Sequence, residues 1–470
     1  MPFTRFDRYV ERHAAAYVER LQALCRMPSV AARVTGMRAI AETVEQSMQR
    51  AGAGTRTFKM GSGYPVIYGE FGAGSPCYVV YSHYDVQPVG QLTAWTSGPF
   101  AAEVRDGRLY ARGAANSKGD LVARLAAVEA YQKTFGKLPL CLRFIVEGEA
   151  GLGSPSLYRF AAEHPEMVRA DGCLWDDGYK DTKERFLVSL GFKGITFLEL
   201  RAYGARADLH SKWGGIVPNA AWKLVQALST IVSPNGVITI DGFSSHLAPI
   251  AEEDAKSLKQ LEIDEAGLKR EFKIKEWVRG MTGRALTKEL IFGPTCTICG
   301  IQTGHTEAGA KTVLPGMAVA RLDFRLVPDL SPALVVSLLR AHLDTRGFHD
   351  ISINELGSAP FVKSSIRSPV ARAAIDCATE VYDGRTLVYP LDPASGPIGA
   401  ICGARVPPTP LVSFGVSHAG SNQHAPDENI RVEDFIQGIK YFGRLIHRLA
   451  QVEKEDHGEG SATEAFVQLK

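Results

Sequence analysis

Residues 77–86 read CYVVYSHYDV, residues 121–135 read LVARLAAVEAYQKTF, and residues 140–149 read LCLRFIVEGE. The first and third are short, nearly continuous apolar runs rich in Val, Ile, Tyr and Phe, as expected of strands buried on both faces. The second carries the apolar spacing of a helix. Strand, helix and strand in that order make a parallel unit. PVIYGEF at 65–71 adds another β-rich run, and GCLWDDG at 172–178 adds a further apolar one after one more helical segment. The spacing predicts a mostly parallel α/β sheet, in which chemistry gathers beyond the carboxyl ends of the strands. The polar clusters HYD (83–85), EGE (147–149) and WDD (175–177) fall there.

Upstream, residues 5–26 and 36–52 have helical apolar spacing, with Pro28 and Ser29 breaking between them. The character changes near residue 187. GITFLELRAYG and VARLDFRLVPD alternate as half-exposed strands, NAAWKLVQALSTIV and SPALVVSLLRAHLDTRG are helical, and HDISINEL adds a strand. This predicts an α+β domain at 187–362 inserted into a catalytic domain made of 1–186 and 363–455. The second part supplies the helix SPVARAAIDCATEVY, the loop PLDPASGPIGA, the strand PLVSFGV and a final helix from Val432, with a polar tail at 456–470.

The 470 residues are 45% hydrophobic and 22% charged, enough for two or more ordinary cores. Fifty-three basic residues against fifty-one acidic leave +2, which gives no electrostatic case for nucleic acid. The N-terminus lacks the apolar core of a secretion signal, and no run of about 18 apolar residues suggests a membrane span. A cytoplasmic protein is expected. Eight cysteines (Cys25, Cys77, Cys141, Cys173, Cys296, Cys299, Cys377, Cys402) are too sparse for a disulfide scaffold and read as reduced. Cys296 and Cys299 form a lone C-x-x-C without the second pair that a zinc ribbon needs.

In S-H-Y-D-V, His83 and Asp85 are two apart on a strand and share a face, a natural ligand and orienting carboxylate for a metal. Further clusters follow: RGAANSKGD (112–120), VEGEAGLGSPSL (146–157), LWDDG (174–178), ADLHSKWGG (207–215), AKTVLPG (310–316), DFRLVPD (323–329) and SNQHAPDENIRVEDF (421–435).

In this order and spacing, from about residue 15 to 450, the chain resembles the dizinc aminoacylase and carboxypeptidase family. That family includes carnosine-type dipeptidases, acetylornithine deacetylase and succinyl-diaminopimelate desuccinylase. The resemblance implies a zinc-binding α/β domain, an inserted lid and a homodimer formed through that lid. It implies that His210 stabilises the oxyanion, reaching a partner's site, and that Thr312 and Arg325 grip the substrate's polar end. Ser395 and Gly396 match a segment lining the substrate carboxylate. A planar Arg fork suits a carboxylate.

The metal half departs from the pattern. His83, Asp85 and His424 match, and either Asp176 or Asp177 matches the acidic ligand paired with His83. The bridging carboxylate has become Asn116, the general-base glutamate Ala150, and the next ligand Gly151. Two zinc ions about 3.5–4 Å apart need anionic ligands between them. At most one zinc ion is therefore expected, and none is the alternative. Glu149 could replace the base only through a one-residue slip of its loop, while Glu147 has its own counterpart in the motif.

Three functions follow. The first is a metallopeptidase-like amidohydrolase acting on a small dipeptide or N-acyl amino acid with a free carboxylate. The second is a metal-independent enzyme on the same fold, carrying out amide formation, acyl transfer or elimination. The third is a pseudoenzyme that binds such a ligand without turnover. Cys299, Trp213 and His418 are further candidates for the pocket lining.

Overall fold

The computed structural model describes residues 2–403 and 408–452. The expected polar tail at 456–470 lies outside the described residues.

The run at 77–86 forms a strand, Cys77–His83, at the centre of a ten-stranded sheet. It is parallel to Cys141–Glu147 on one side and to Gly172–Trp175 on the other, and Leu411–Ser413 lies parallel beyond Gly172–Trp175. Towards one edge the sheet turns antiparallel through Val66–Phe71 and Gly54–Phe58. Phe186–Ser189 lies towards the other edge with Thr386–Tyr389 parallel to it. Val79, Val80, Phe144 and Ile145 are fully buried, because layers cover both faces and each such side chain contributes roughly 1.5–3 kcal/mol on burial. This is why these strands read as unbroken apolar runs. Helices Gly119–Phe135, Pro369–Val381 and Val432–Leu449 pack together over one face. The parallel register places His83 beside Glu147 at the carboxyl edge.

A second, four-stranded antiparallel sheet runs Thr295–Thr303, Met317–Leu326, Gly194–Tyr203, Ser352–Ala359. Helices Ala220–Ile231 and Pro332–Thr345 cover one face, over Leu198, Leu200, Leu322 and Phe324. Side chains of Met317–Leu326 alternate between this core and the open face, the period of a half-exposed sheet.

The N-terminal helix expected over 5–26 is two helices, Pro2–Arg12 and Ala14–Cys25. Three helices, Glu252–Leu258, Glu265–Phe272 and Gly283–Phe292, and the edge strand Thr295–Thr303 have no counterpart in the sequence reading. The helices are short and charged, and the strand has no buried position to mark it.

Candidate active site

The loop before helix Gly119–Phe135 is held by a residue distant in sequence. Glu428 Oε1 accepts the backbone N–H groups of Gly113, Ala115 and Asn116, each at 3.0 Å. Its Oε2 accepts from Arg112 Nη1 at 2.5 Å, and both side chains are buried. A buried ion pair persists when its remaining lone pairs are satisfied in this way. Lys118 Nζ donates to the carbonyls of Leu24 and Met27, tying the loop to the end of helix Ala14–Cys25. Asp120 accepts from the N–H groups of Val416 and Asp177, and burial pushes its carboxyl up to about 7. Arg112, Lys118, Asp120 and Glu428 thus position the site. Motif spacing assigns these four no role; the signal for them in the sequence is four charges close to the motif residues.

His83 Nδ1 lies 3.0 Å from the Asp85 carbonyl and 3.4 Å from Asp85 Oδ1. Burial opposes charge on His83, but the Asp85 hydrogen bond and the carboxylates of Asp85, Asp176 and Glu147 outweigh it and raise it to about 10. The Asp85 carboxylate is itself occupied. Its Oδ1 accepts the N–H of Ala150 at 3.1 Å and its Oδ2 that of Gly151 at 2.9 Å. A Cβ on Gly151 would sit 3.1 Å from Gln87 Nε2 and 3.2 Å from Asp85 Oδ2, so glycine fits a close approach here.

Glu149 is buried, and both its oxygens accept backbone N–H groups, from Tyr64 and from Ser156, each at 2.9 Å. Ser156 lies in the first turn of helix Pro155–Glu163, where a carboxylate satisfies a free N–H and complements the helix dipole. The slip that would make Glu149 a base is not seen. Its carboxylate is spent on the backbone. Glu147 accepts from the Tyr81 hydroxyl at 2.6 Å, and burial pushes it up to about 7.

On the far side, His424 Nε2 lies 3.2 Å from Asn116 Oδ1. Burial lowers the His424 imidazole and favours its neutral form. The Ser117 hydroxyl donates to Asp176 Oδ2. Asp177 Oδ1 lies 3.5 Å from Gln423 Nε2, and its carboxyl, raised by burial, is lowered in part by both His83 and His424. The structure therefore brings together His83, Asp85, Asn116, Asp176, Asp177 and His424.

The remaining candidates lie on other elements. His210 pairs with Val313 in a short two-stranded ribbon, is exposed, and accepts the Lys212 N–H at Nδ1. Thr312 is next to it, its carbonyl accepting from Ser211 N–H. Arg325, on Met317–Leu326, pairs with Asp323 at 3.2 Å. Ser395 Oγ donates to the Gly194 carbonyl at 3.0 Å, and Gly194 precedes Ile195, the strand partner of Arg325. A Cβ on Gly396 would lie 3.9 Å from Trp175, whose ring stacks on Tyr81 at 3.6 Å between centroids. The loop carrying Ser395 and Gly396 thus adjoins both the edge of the large sheet and the four-stranded sheet. Trp213 is exposed near His210, and Cys299 lies on the exposed edge strand. His418 is buried, bonded to Ser421 and Arg108, and pushed down to about 4 chiefly by burial.

The donors gathered here are two imidazoles, three aspartate carboxylates and one neutral amide. Among the described residues, no group of three or more His, Cys, Asp or Glu side chains is placed to hold a metal ion. Where a bridging anion would stand, Asn116 offers a neutral amide hydrogen-bonded to His424. Among the described residues, no helix is long and apolar enough to cross a membrane.

Comparison with known proteins agrees with this architecture. The family model described as Peptidase family M20/M25/M40 matches residues 79–448. The chain is 26% identical to the Cys-Gly metallodipeptidase dug1 of Schizosaccharomyces pombe, covering 96% of this chain and 99% of that protein. It is 26% identical to the Beta-Ala-His dipeptidase of Homo sapiens, covering 83% and 78%. The crystal structure of an M20 family metallo-carboxypeptidase, Sso-CP2 from Sulfolobus solfataricus, superposes with a TM-score of 0.87 at 31% identity, covering 93% of this chain and 99% of that one. With a match that spans most of its length and the same fold, this chain belongs to peptidase family M20/M25/M40.

Proposed function

We infer that this chain binds a small dipeptide or N-acyl amino acid by its free carboxylate and acts on the amide bond without a dinuclear zinc centre. The relatives named as dipeptidases support the substrate class. The observation that carries the second half is the Asp85 carboxylate, both of whose oxygens accept backbone N–H groups from Ala150 and Gly151. Those two positions carry neither a base nor a ligand side chain.

In this reading 187–362 is the lid, and Arg325, Thr312, Ser395 and Gly396 hold the substrate's polar end. His210 stabilises the developing oxyanion from the lid of a second copy; a donor aimed where charge develops is worth several kcal/mol in a closed site. The homodimer is supported by the edge strand Thr295–Thr303, whose Ile298 and Ile301 are half exposed, and by the exposed Trp222. A bare apolar strand edge invites pairing. At most one zinc ion binds, on the His83 side. A site without activated water suits acyl transfer, amide formation or elimination better than hydrolysis.

A second reading, binding without turnover, is favoured by one observation: the carboxylates of Asp85, Glu149 and Asp176 already accept hydrogen bonds from the protein. A panel of dipeptides and N-acyl amino acids, with and without Zn²⁺, Co²⁺, Mn²⁺ or chelator, separates the readings. Turnover indifferent to chelator, or requiring an added amine acceptor, is expected. Cleavage that requires two metal ions per chain overturns the proposal. Thermal stabilisation by ligand without any turnover selects the second reading.

A further inference from the structure

Cys77 and Cys141 are 64 residues apart in sequence, yet they open the two central parallel strands and face each other directly in register. The two Sγ atoms lie 2.7 Å apart. Their backbones are already fixed: Cys77 N–H donates to Asp171 Oδ2, and Cys141 N–H to the Pro76 carbonyl. Adjacent strands lie about 4.7–4.9 Å apart, inside the roughly 4.4–6.8 Å Cα separation that a disulfide spans. Closure therefore needs side-chain rotation, not movement of the sheet. Cys77 is half-buried and reachable from solvent, whereas Cys141 is buried behind it. The contact between the two thiols pushes Cys77 up, as burial also does, and holds Cys141 down against burial, with help from the Arg143 guanidinium. The other close thiol pair, Cys173 and Cys402, is wholly buried and lacks such access.

We propose that Cys77 and Cys141 form a reversible disulfide by exchange with a small-molecule disulfide of the glutathione type. Cys77, giving up its proton, attacks one sulfur of the small disulfide and expels the first thiolate. The Cys141 thiolate then attacks the Cys77 sulfur and expels the second. Two protein thiols lose two protons and two electrons, and the small disulfide is reduced to two thiols. The bond clamps the strands whose far ends present His83 and Glu147, and closes a loop of more than sixty residues. Cross-links over loops of that size stabilise chiefly by restricting the unfolded chain.

The test uses the full chain carrying Cys299→Ser, which removes an exposed thiol. It is treated with oxidised glutathione or with dithiothreitol, digested without reductant and mapped by mass spectrometry. The expected result is a cross-linked peptide pair containing Cys77 and Cys141, lighter by two hydrogens than the sum of the reduced peptides. The oxidised protein should also melt several degrees above the reduced one. Adding Cys77→Ser should abolish both effects, and Cys141→Ser serves if that variant does not fold. A persistent glutathione adduct on Cys77 with Cys141 free, or both thiols still open to alkylation after oxidation, overturns the proposal.

Discussion

Asp85 Oδ2 accepts the backbone N–H of Gly151 at 2.9 Å, so a carboxylate beside His83 anchors the loop in which the family's base and ligand would stand. The neighbouring Ala150 N–H takes the other oxygen. Asp85→Asn keeps the shape but turns an NH₂ group toward one of these N–H donors. A buried donor left facing a donor costs about 1–3 kcal/mol. Urea unfolding of Asp85→Asn should show a loss in that range; an unchanged midpoint would refute the bidentate arrangement.

Glu149 is assigned to the scaffold. Glu149→Gln should lower stability by about 1–3 kcal/mol, because one of its two accepting oxygens is lost. Turnover per folded molecule should stay the same. A folded variant whose rate falls by roughly 10²–10⁴, the usual cost of losing a general base, would restore Glu149 to the chemistry.

Glu147 gives the pH dependence a sign. Burial raises its folded value to about 7 from an ordinary 4.5, although the Tyr81 and Ser154 hydroxyls and His83 work against the shift and Asp85 adds to it. A carboxyl raised on folding favours the folded state fully below its unfolded value. That contribution is lost as pH rises through the folded value. Stability should therefore fall between about pH 4.5 and pH 7 from this group, and Glu147→Gln should flatten that part of the profile. Denaturant midpoints measured across the window check this; an unaltered slope in the variant contradicts it.

Arg325→Lys tests the carboxylate grip. A lysine keeps the charge but loses the fork, and hydrogen bonds to charged groups are worth about 1.5–3 kcal/mol. Calorimetry with an N-acyl amino acid should show affinity down about tenfold or more. The methyl ester of the same ligand should bind wild type and variant alike. Equal weakening for acid and ester would move the carboxylate elsewhere.

The central sheet was legible in the sequence because strands buried on both faces leave continuous apolar runs, as Cys77–His83 and Cys141–Glu147 do. The edge strand Thr295–Thr303 left no such mark, since its side chains are largely exposed. The gathering of His83, Asn116 and His424 followed from the resemblance of the motifs to the family. The role of Asp85 did not, because its partners are backbone N–H groups, which every residue but proline carries. Glu428 lies more than three hundred residues from the loop it holds, and only the fold reveals the pairing. The same is true of Cys77 and Cys141, which meet through parallel register.

The most direct measurement is metal content per chain by elemental analysis, on protein purified without chelator or tag-derived nickel. With Asn116 hydrogen-bonded to His424 and no carboxylate at 150 or 151, no more than one zinc ion per chain is expected. If one is found, His83→Ala should empty the site. Close to two zinc ions per chain would instead make an ordinary dizinc hydrolase of this protein.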